Sequence, residues 1–424
     1  MIKVLKRWLY FPIAYYFAFW AGIQLRIWKP RIILVTGSSG KTTLLHLIES
    51  QLQTKARYSH HANSSYGIPF DILGLKREKL TPDEWPYLIL MAPFRAFKKP
   101  FREKLYIVEA DSDRPYEGKF LGRFLKPEVT IWLNTSRTHS MNFDRTVRNG
   151  KFKTVDAAIA YEFGNYLENA ASLVIINSDS ELIRKQLERT SVKKILITNK
   201  DLKGYEVLSN GTKFQTNKKI YSFNVLLPKN TFYSIEATDA LMGYLRLKLD
   251  SAFSNFYLPP GRSSIFKGIK NTTIIDSTYN ATLDGIQTII EMFDLYPAQT
   301  KWAVLSDMVE LGEEEKEEHE KLAQIIAEAK SLSRVILMGP RTLKYTYPLV
   351  RERLGEKVLL EKFLTPKEVL NYLLENIQSG ETILFKGARF LEGVIEHLLA
   401  DKNDVRKLCR REKIWEIRRK EWGL

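Results

Sequence analysis

Cysteine is almost missing: Cys409 is the only one in 424 residues. That excludes an intrachain disulfide framework and any zinc site built on several cysteines, and it suits a reducing compartment. Internal repeats and low-complexity tracts are absent too. With 44% hydrophobic and 27% charged residues, the chain is neither a disordered tail nor a multi-span membrane protein. Its length is that of two or three domains. Acids are scarce beside bases, 49 against 65, which leaves a net charge of +16. Such an imbalance calls for an anionic partner: nucleic acid, a phosphate-rich substrate or lipid headgroups.

The acids are missing mainly at the ends. Residues 1–31 hold six basic residues and no acid, and residues 401–424 hold nine basic and five acidic ones. These ends supply +10 of the +16, so a nucleic-acid groove through the body is not expected. From Trp8 to Leu25 there is no charge at all, and eight of those eighteen residues are aromatic. As a helix this run reaches about 27 Å, just short of a hydrocarbon core of about 30 Å. Aromatic density between basic flanks suits a membrane interface, and no small-residue cleavage pattern marks a removable signal. Residues 1–30 are therefore expected to be a membrane-associated helix on the cytoplasmic face. Deleting 1–28 is expected to leave the rest folded; burial of the helix against the body is the other reading. The stretch 401–424 reads as a basic terminal helix, on solvent or on an anionic surface.

The chemistry begins after Pro30. Ile32 to Val35 is a short apolar run that reads as a buried strand. Gly37, Ser38, Ser39, Gly40, Lys41, Thr42 and Thr43 follow, and then an apolar-periodic helix. Strand, glycine turn, Lys-Thr and helix cradle phosphates with backbone N–H groups and a helix N-terminus. Lys41 would reach the β- and γ-phosphates of ATP and Thr42 would bind Mg²⁺. A carboxylate at the end of a parallel strand is where such a site needs its metal ligand; Glu109 follows the run Leu105–Val108.

The loop G-x-x-G-K-T-T is shorter than the common phosphate loop and resembles that of the Mur ligase family. Later segments resemble its MurF branch in order: Asn63-Ser64-Ser65-Tyr66-Gly67-Ile68-Pro69, Glu109, Asn134-Thr135 with His139, Ile176-Asn177-Ser178-Asp179, Pro260-Gly261-Arg262, Asp276-Ser277-Thr278-Tyr279-Asn280-Ala281, Ser306-Asp307-Met308-Val309-Glu310-Leu311-Gly312 with His319, and Lys386-Gly387-Ala388-Arg389. The resemblance implies that Glu109 and His139 are Mg²⁺ ligands and that Arg262, Asp276 and Asn280 meet the nucleotide. It implies that Asn63, Ser65, Lys386 and Arg389 face substrates. Where the family carries a carbamylated lysine on its second Mg²⁺, this chain aligns Glu162, a ready-made carboxylate. Ser277 stands where the family has a second Asp, and the family's adenine-holding H-N-x-x-N is not evident near Asn230. Only about thirty residues precede the loop, so the family's uridine-nucleotide-binding domain is not expected, and the acceptor would be held in another way.

The fold class expected is α/β: an N-terminal hydrophobic helix (1–30), a phosphate-loop ATPase domain (31–260), a Rossmann-like C-terminal domain (261–400) and the basic tail (401–424), with mostly parallel sheets. Strand candidates in the C-terminal domain are 273–275, 302–305, 335–338, 358–360 and 382–385. The implied reaction is ATP-dependent amide formation through an acyl phosphate, joining an amino acid or dipeptide to a peptide-bearing cell-wall precursor. The alternatives are a ligase of the folyl-polyglutamate or amino-acid-polymer type and a non-catalytic nucleotide-binding scaffold of the envelope machinery.

Overall fold

The computed structural model describes residues 2–60, 62–77, 81–387 and 390–424, with side chains from residue 8 onward. They form two compact units: 1–199 with 233–256, and 200–232 with 257–424.

In the first unit, α1 (Ile2–Trp28) leads into β1 (Arg31–Thr36), and α2 (Lys41–Leu52) starts at the phosphate loop. Then come β2 (Ala56–Tyr58), α3 (Gly67–Leu73), α4 (Glu84–Ala96), β3 (Leu105–Glu109), α5 (Glu117–Leu125), β4 (Val129–Trp132), the short α6 (Asp144–Arg148), α7 (Val155–Glu168), β5 (Leu173–Asn177) and β6 (Lys193–Ile197). The six strands form one sheet in the order β2-β3-β1-β4-β5-β6, and every pairing is parallel. Near-continuous Ile, Leu and Val runs in β1, β3 and β5 are what a sheet covered on both faces requires. The register sets Val35 of β1 beside Glu109 of β3 and Thr36 beside Trp132 of β4, so the carboxyl edge brings the phosphate loop and Glu109 together.

The N-terminal helix is not a detachable anchor. Ala14, Phe17, Ala21 and Trp28 of α1 are fully buried in the same apolar cluster as Leu34, Tyr106 and Val108. The Phe17 ring meets Phe70 edge-on at 4.7 Å, and Trp28 donates its indole N–H to Glu103 O at 2.6 Å. Helices α3 and α4 pack against α1. The expectation that residues 1–28 can be deleted without harm is therefore corrected, because the first unit's core includes them. No helix among the described residues is long and apolar enough to cross a membrane.

The second unit holds a three-stranded antiparallel sheet, β7 (Leu202–Leu208), β8 (Gly211–Thr216) and β9 (Ile220–Phe223). It also holds a six-stranded sheet in the order β10-β11-β15-β12-β13-β14. These strands are β10 (Ser264–Lys267), β11 (Thr273–Ser277), β12 (Lys301–Ser306), β13 (Leu332–Met338), β14 (Leu359–Phe363) and β15 (Thr382–Lys386). Only β10 runs antiparallel, as a hairpin partner of β11. Residues 200–232 were expected in the central block 31–260, yet Val207 belongs to the apolar cluster of Ile286 and Phe293. Tyr296 also donates its hydroxyl to Ser209 O at 2.9 Å.

The tail is no free basic helix either. It is broken into a 3₁₀ turn, Lys402–Lys407, and a short α-helix, Lys413–Glu421. Arg410 donates to the carbonyls of Thr278 (3.1 Å) and Tyr279 (2.5 Å), and the buried Arg419 donates to Arg410 O at 2.6 Å.

Candidate active site

The phosphate loop is held open by its glycines and by Asn134. Gly37 has φ +138°, and a Cβ there would sit 3.1 Å from Asn134 N. Gly40 caps α2 at φ +78°, a left-handed conformation that side chains disfavour. Asn134 accepts the Ser39 N–H at 2.9 Å and returns its amide to Ser39 O at 3.1 Å. Family resemblance pointed to this Asn as part of a longer motif; here it shapes the loop.

Lys41 is buried, 7% exposed, and pairs with Asp111 Oδ2 at 2.7 Å. Burial works against its charge, but Asp111 and Glu109 outweigh that and hold the ammonium above its usual pKa. Thr42 donates its hydroxyl to Glu109 at 3.1 Å, and Glu109 takes its place from β3 and from the Ser59 hydroxyl that accepts its N–H at 2.8 Å. Hydroxyl and carboxylate oxygens on converging rigid elements are a donor set that fits Mg²⁺.

Three acids missed from the sequence complete the cluster. Asp111 and Asp113 follow β3, and Glu117 opens α5; the signal was the spacing E-A-D-S-D-x-x-x-E directly after a strand. Burial, with Asp111 close by, pushes the Asp113 carboxyl up to about 7, although His139 pulls it down. His139 Nε2 lies 3.4 Å from Asp113 Oδ1. Glu117 is fully buried and accepts four hydrogen bonds: from the Tyr10 hydroxyl (2.9 Å), the Ser65 N–H (3.0 Å), the Ser65 hydroxyl (2.8 Å) and the Asp113 N–H (3.0 Å). Arg114 stacks over the Tyr10 ring at 3.8 Å, so α1 is wired to the acidic loop.

Of the expected substrate residues, Ser65 is fully buried with its hydroxyl given to Glu117, which makes it a positioning residue rather than a substrate contact. Asn63 accepts the Asp111 N–H through its carbonyl at 2.8 Å and keeps its side chain half-exposed.

Glu162 on α7 is neither a solvated helix position nor free to swing. One oxygen accepts the Tyr116 N–H at 2.9 Å, at the start of α5, where the helix dipole favours negative charge. The other is buried without a hydrogen-bond partner. Burial raises its pKa, against the pull of the α5 N–H groups.

The second unit carries its own set. Asp276, one residue before the end of β11, is fully buried; one oxygen takes the Thr278 N–H (3.0 Å) and hydroxyl (2.6 Å), and the other is buried with no hydrogen-bond partner. Burial, with Arg262 nearby, lowers the Lys386 pKa to about 8. Arg262 stacks on Tyr279 at 3.9 Å, and Asn280 is exposed. Arg389 lies outside the described residues. Asp307 and His319 turn out to be architectural. Asp307 accepts the Arg341 (3.1 Å) and Thr342 (2.9 Å) N–H groups, while His319 Nε2 accepts the Met308 N–H at 3.3 Å.

Comparison with known proteins bears on the same residues. The Mur ligase middle domain matches residues 35–237, and the Mur ligase glutamate ligase domain matches residues 261–389. A UDP-N-acetylmuramoyl-tripeptide–D-alanyl-D-alanine ligase of Rickettsia prowazekii is 25% identical over 381 residues, 85% of this chain and 76% of its own. The Bacillus subtilis enzyme of that name is 24% identical over 382 residues, 87% of this chain and 76% of its own. Among solved structures, a MurF ligase of Thermotoga maritima in complex with ADP superposes with a TM-score of 0.71 at 23% identity, covering 93% of this chain and 84% of that one.

Proposed function

This chain belongs to the Mur ligase family, in its MurF-like branch, and on that premise we propose how its residues carry out ATP-dependent amide ligation. The reaction joins an amino acid or dipeptide to a peptide-bearing cell-wall precursor. The relatives' names point to a UDP-N-acetylmuramoyl-tripeptide acceptor and D-alanyl-D-alanine. The acceptor carboxylate attacks the γ-phosphorus of ATP, the β,γ-bridging oxygen leaves with ADP, and an acyl phosphate forms. The amine then attacks the acyl carbon and expels phosphate.

The observation that supports this reading is a phosphate site already assembled, with Lys41 parked on Asp111 and Thr42 on Glu109. The triphosphate competes with Asp111 for Lys41, whose charge then stabilises the transferring phosphoryl group. Mg²⁺, held by Thr42 and Glu109 and on the His139 side by Asp113, would neutralise phosphate charge and orient the triphosphate. Glu117 keeps Ser65, Asp113 and Tyr10 in register around this edge. In the other unit, Arg262, Asp276 and Asn280 are assigned to the nucleotide and Lys386 to a substrate carboxylate.

The membrane association belongs to the same proposal, as a surface rather than a span. The outward faces of α1 and α4 expose Trp8, Tyr15, Phe19, Leu90 and Phe94. The two helices are joined by the Tyr16 hydroxyl donated to Ile89 O at 2.7 Å. Basic residues flank them at Arg26, Lys29, Lys98 and Lys99. A groove of about 760 Å³, lined by Phe11, Phe19, Phe120, Lys119 and Arg123, runs beside this face. Such a face suits an anionic bilayer surface.

The test is acceptor-dependent ADP release with UDP-N-acetylmuramoyl-peptides and a panel of amino acids and dipeptides, read together with the mass of the product. An amide product with one equivalent of ADP supports the reading. No product with any pairing, from protein that still binds ATP, overturns it in favour of a scaffold.

A further inference from the structure

Beside the Glu109 end of β3, where the Ser59 hydroxyl accepts the Glu109 N–H, the first unit gathers two imidazoles and a carboxylate. Three of the chain's six histidines fall at 46, 60 and 61; His46 and His60 are described here. His46 and Glu49 sit three residues apart on α2, hence on one face of that helix, and His60 follows β2 by two residues. His46 Nδ1 is 3.1 Å from one Glu49 oxygen, and His60 Nε2 is 3.1 Å from the other. Ligand atoms of all three lie within 4.8 Å of one another. The two imidazole rings stack at 5.0 Å with 22° between their planes. His46 is buried, 4% exposed, while Glu49 and His60 are half-buried.

We propose that His46, Glu49 and His60 form a binding site for a divalent transition-metal ion of the zinc class. Bonds of about 2.0–2.1 Å put tetrahedral ligands about 3.4 Å apart, so the two 3.1 Å pairs need only small side-chain shifts to close on an ion. Two imidazoles and one carboxylate select zinc, cobalt or nickel over magnesium, which takes oxygen ligands and gives up its waters reluctantly. The site is thus chemically separate from the Thr42–Glu109 pair. Two of its donors come from a helix and the third from a segment pinned to β3, where Ser59 donates its N–H to Ile107 O at 3.0 Å. Elements of that rigidity hold ligands in place.

The ion has a structural consequence. It clamps α2 to the segment that begins at Ser59 and continues to Asn63 and Ser65. Those residues accept the Asp111 N–H and bond Glu117, respectively. Bound metal therefore stiffens the acidic loop through the segment that follows β2.

The experiment uses the full chain stripped of metal and kept in excess Mg²⁺, so that oxygen-rich sites are occupied. Zinc is titrated in competition with a chromophoric chelator, cobalt is followed by its ligand-field absorption, and the melting temperature is recorded against zinc concentration. The expected result is one equivalent of zinc, a tetrahedral-type cobalt spectrum and a rising melting temperature. His60→Ala and Glu49→Gln, both at half-buried positions, each weaken zinc binding by about tenfold or more, since even outer partners of metal ligands are worth ~10–100-fold. His46→Ala does the same, but its burial makes the other two variants decisive. Absence of zinc binding at micromolar concentrations, or His60→Ala and Glu49→Gln proteins that bind zinc as the unsubstituted chain does, overturns the proposal.

Discussion

Phe17 and Phe19 lie two residues apart on α1, and substituting each by alanine asks opposite things of that helix. Phe17 has no exposed surface and packs edge-on against Phe70, with Trp85 at 6.1 Å. Removing a buried phenylalanine costs about 3–5 kcal/mol, because the lost transfer free energy is joined by that of the cavity left behind. For a unit of this size each kcal/mol lowers the melting temperature by roughly 2–4 °C, so Phe17→Ala should melt about 6–20 °C lower. Phe19 is 63% exposed, and Phe19→Ala should stay within about 0.5 kcal/mol of the parent. Thermal melts of both variants, run without vesicles, measure the difference. Flotation with anionic vesicles should show the reverse order, with Phe19→Ala binding more weakly and Phe17→Ala binding as before. A Phe17→Ala protein that melts no lower than Phe19→Ala would refute the claim that α1 belongs to the core.

Three further outcomes are expected. Lys41→Ala abolishes ADP release and also destabilises the fold by up to about 3–5 kcal/mol, since Asp111 is left buried without its cation. Adding Asp111→Asn should restore the melting temperature but not turnover. Asp113 has a folded pKa of about 7 against about 3.9 unfolded, so its stabilising contribution is complete below about pH 4 and is lost as pH rises through about 7. In Mg²⁺-free buffer the melting temperature should fall across that window, and Asp113→Asn should flatten the fall. Glu162→Gln keeps the side-chain shape but removes charge at the α5 N-terminus, a loss of about 0.3–1 kcal/mol. If its unpartnered oxygen also serves Mg²⁺, half-maximal ADP release needs more Mg²⁺, and the parent enzyme does not respond to bicarbonate. A lower melting temperature with unchanged Mg²⁺ dependence reduces Glu162 to a helix cap.

Local chemistry was legible in the chain; spatial partnership was not. The strand–glycine–Lys–Thr–helix order from Ile32 to Leu44 specifies a phosphate loop by itself, because backbone N–H groups and a helix N-terminus are local features. The apolar runs that became β3, β4, β11, β12 and β15 were readable because strands covered on both faces are hydrophobic throughout. The antiparallel β7–β9 sheet and the β10 hairpin were missed, since β7 and β10 are mostly half-buried or exposed and β8 and β9 alternate buried with exposed positions, so no continuous apolar run marks them.

Composition alone made residues 1–30 look like a membrane element, because aromatic residues without charge read the same whether lipid or protein covers them. Only the tertiary structure decided that Phe17 and Trp28 face the core while Trp8 and Phe19 do not. The packing of α1 and of the segment after β2 likewise decided that Tyr10 and Ser65 meet on one carboxylate, Glu117. Their separations in sequence carry no such information: a buried carboxylate recruits whichever donors the packed chain brings within about 3 Å, and those donors come from distant segments.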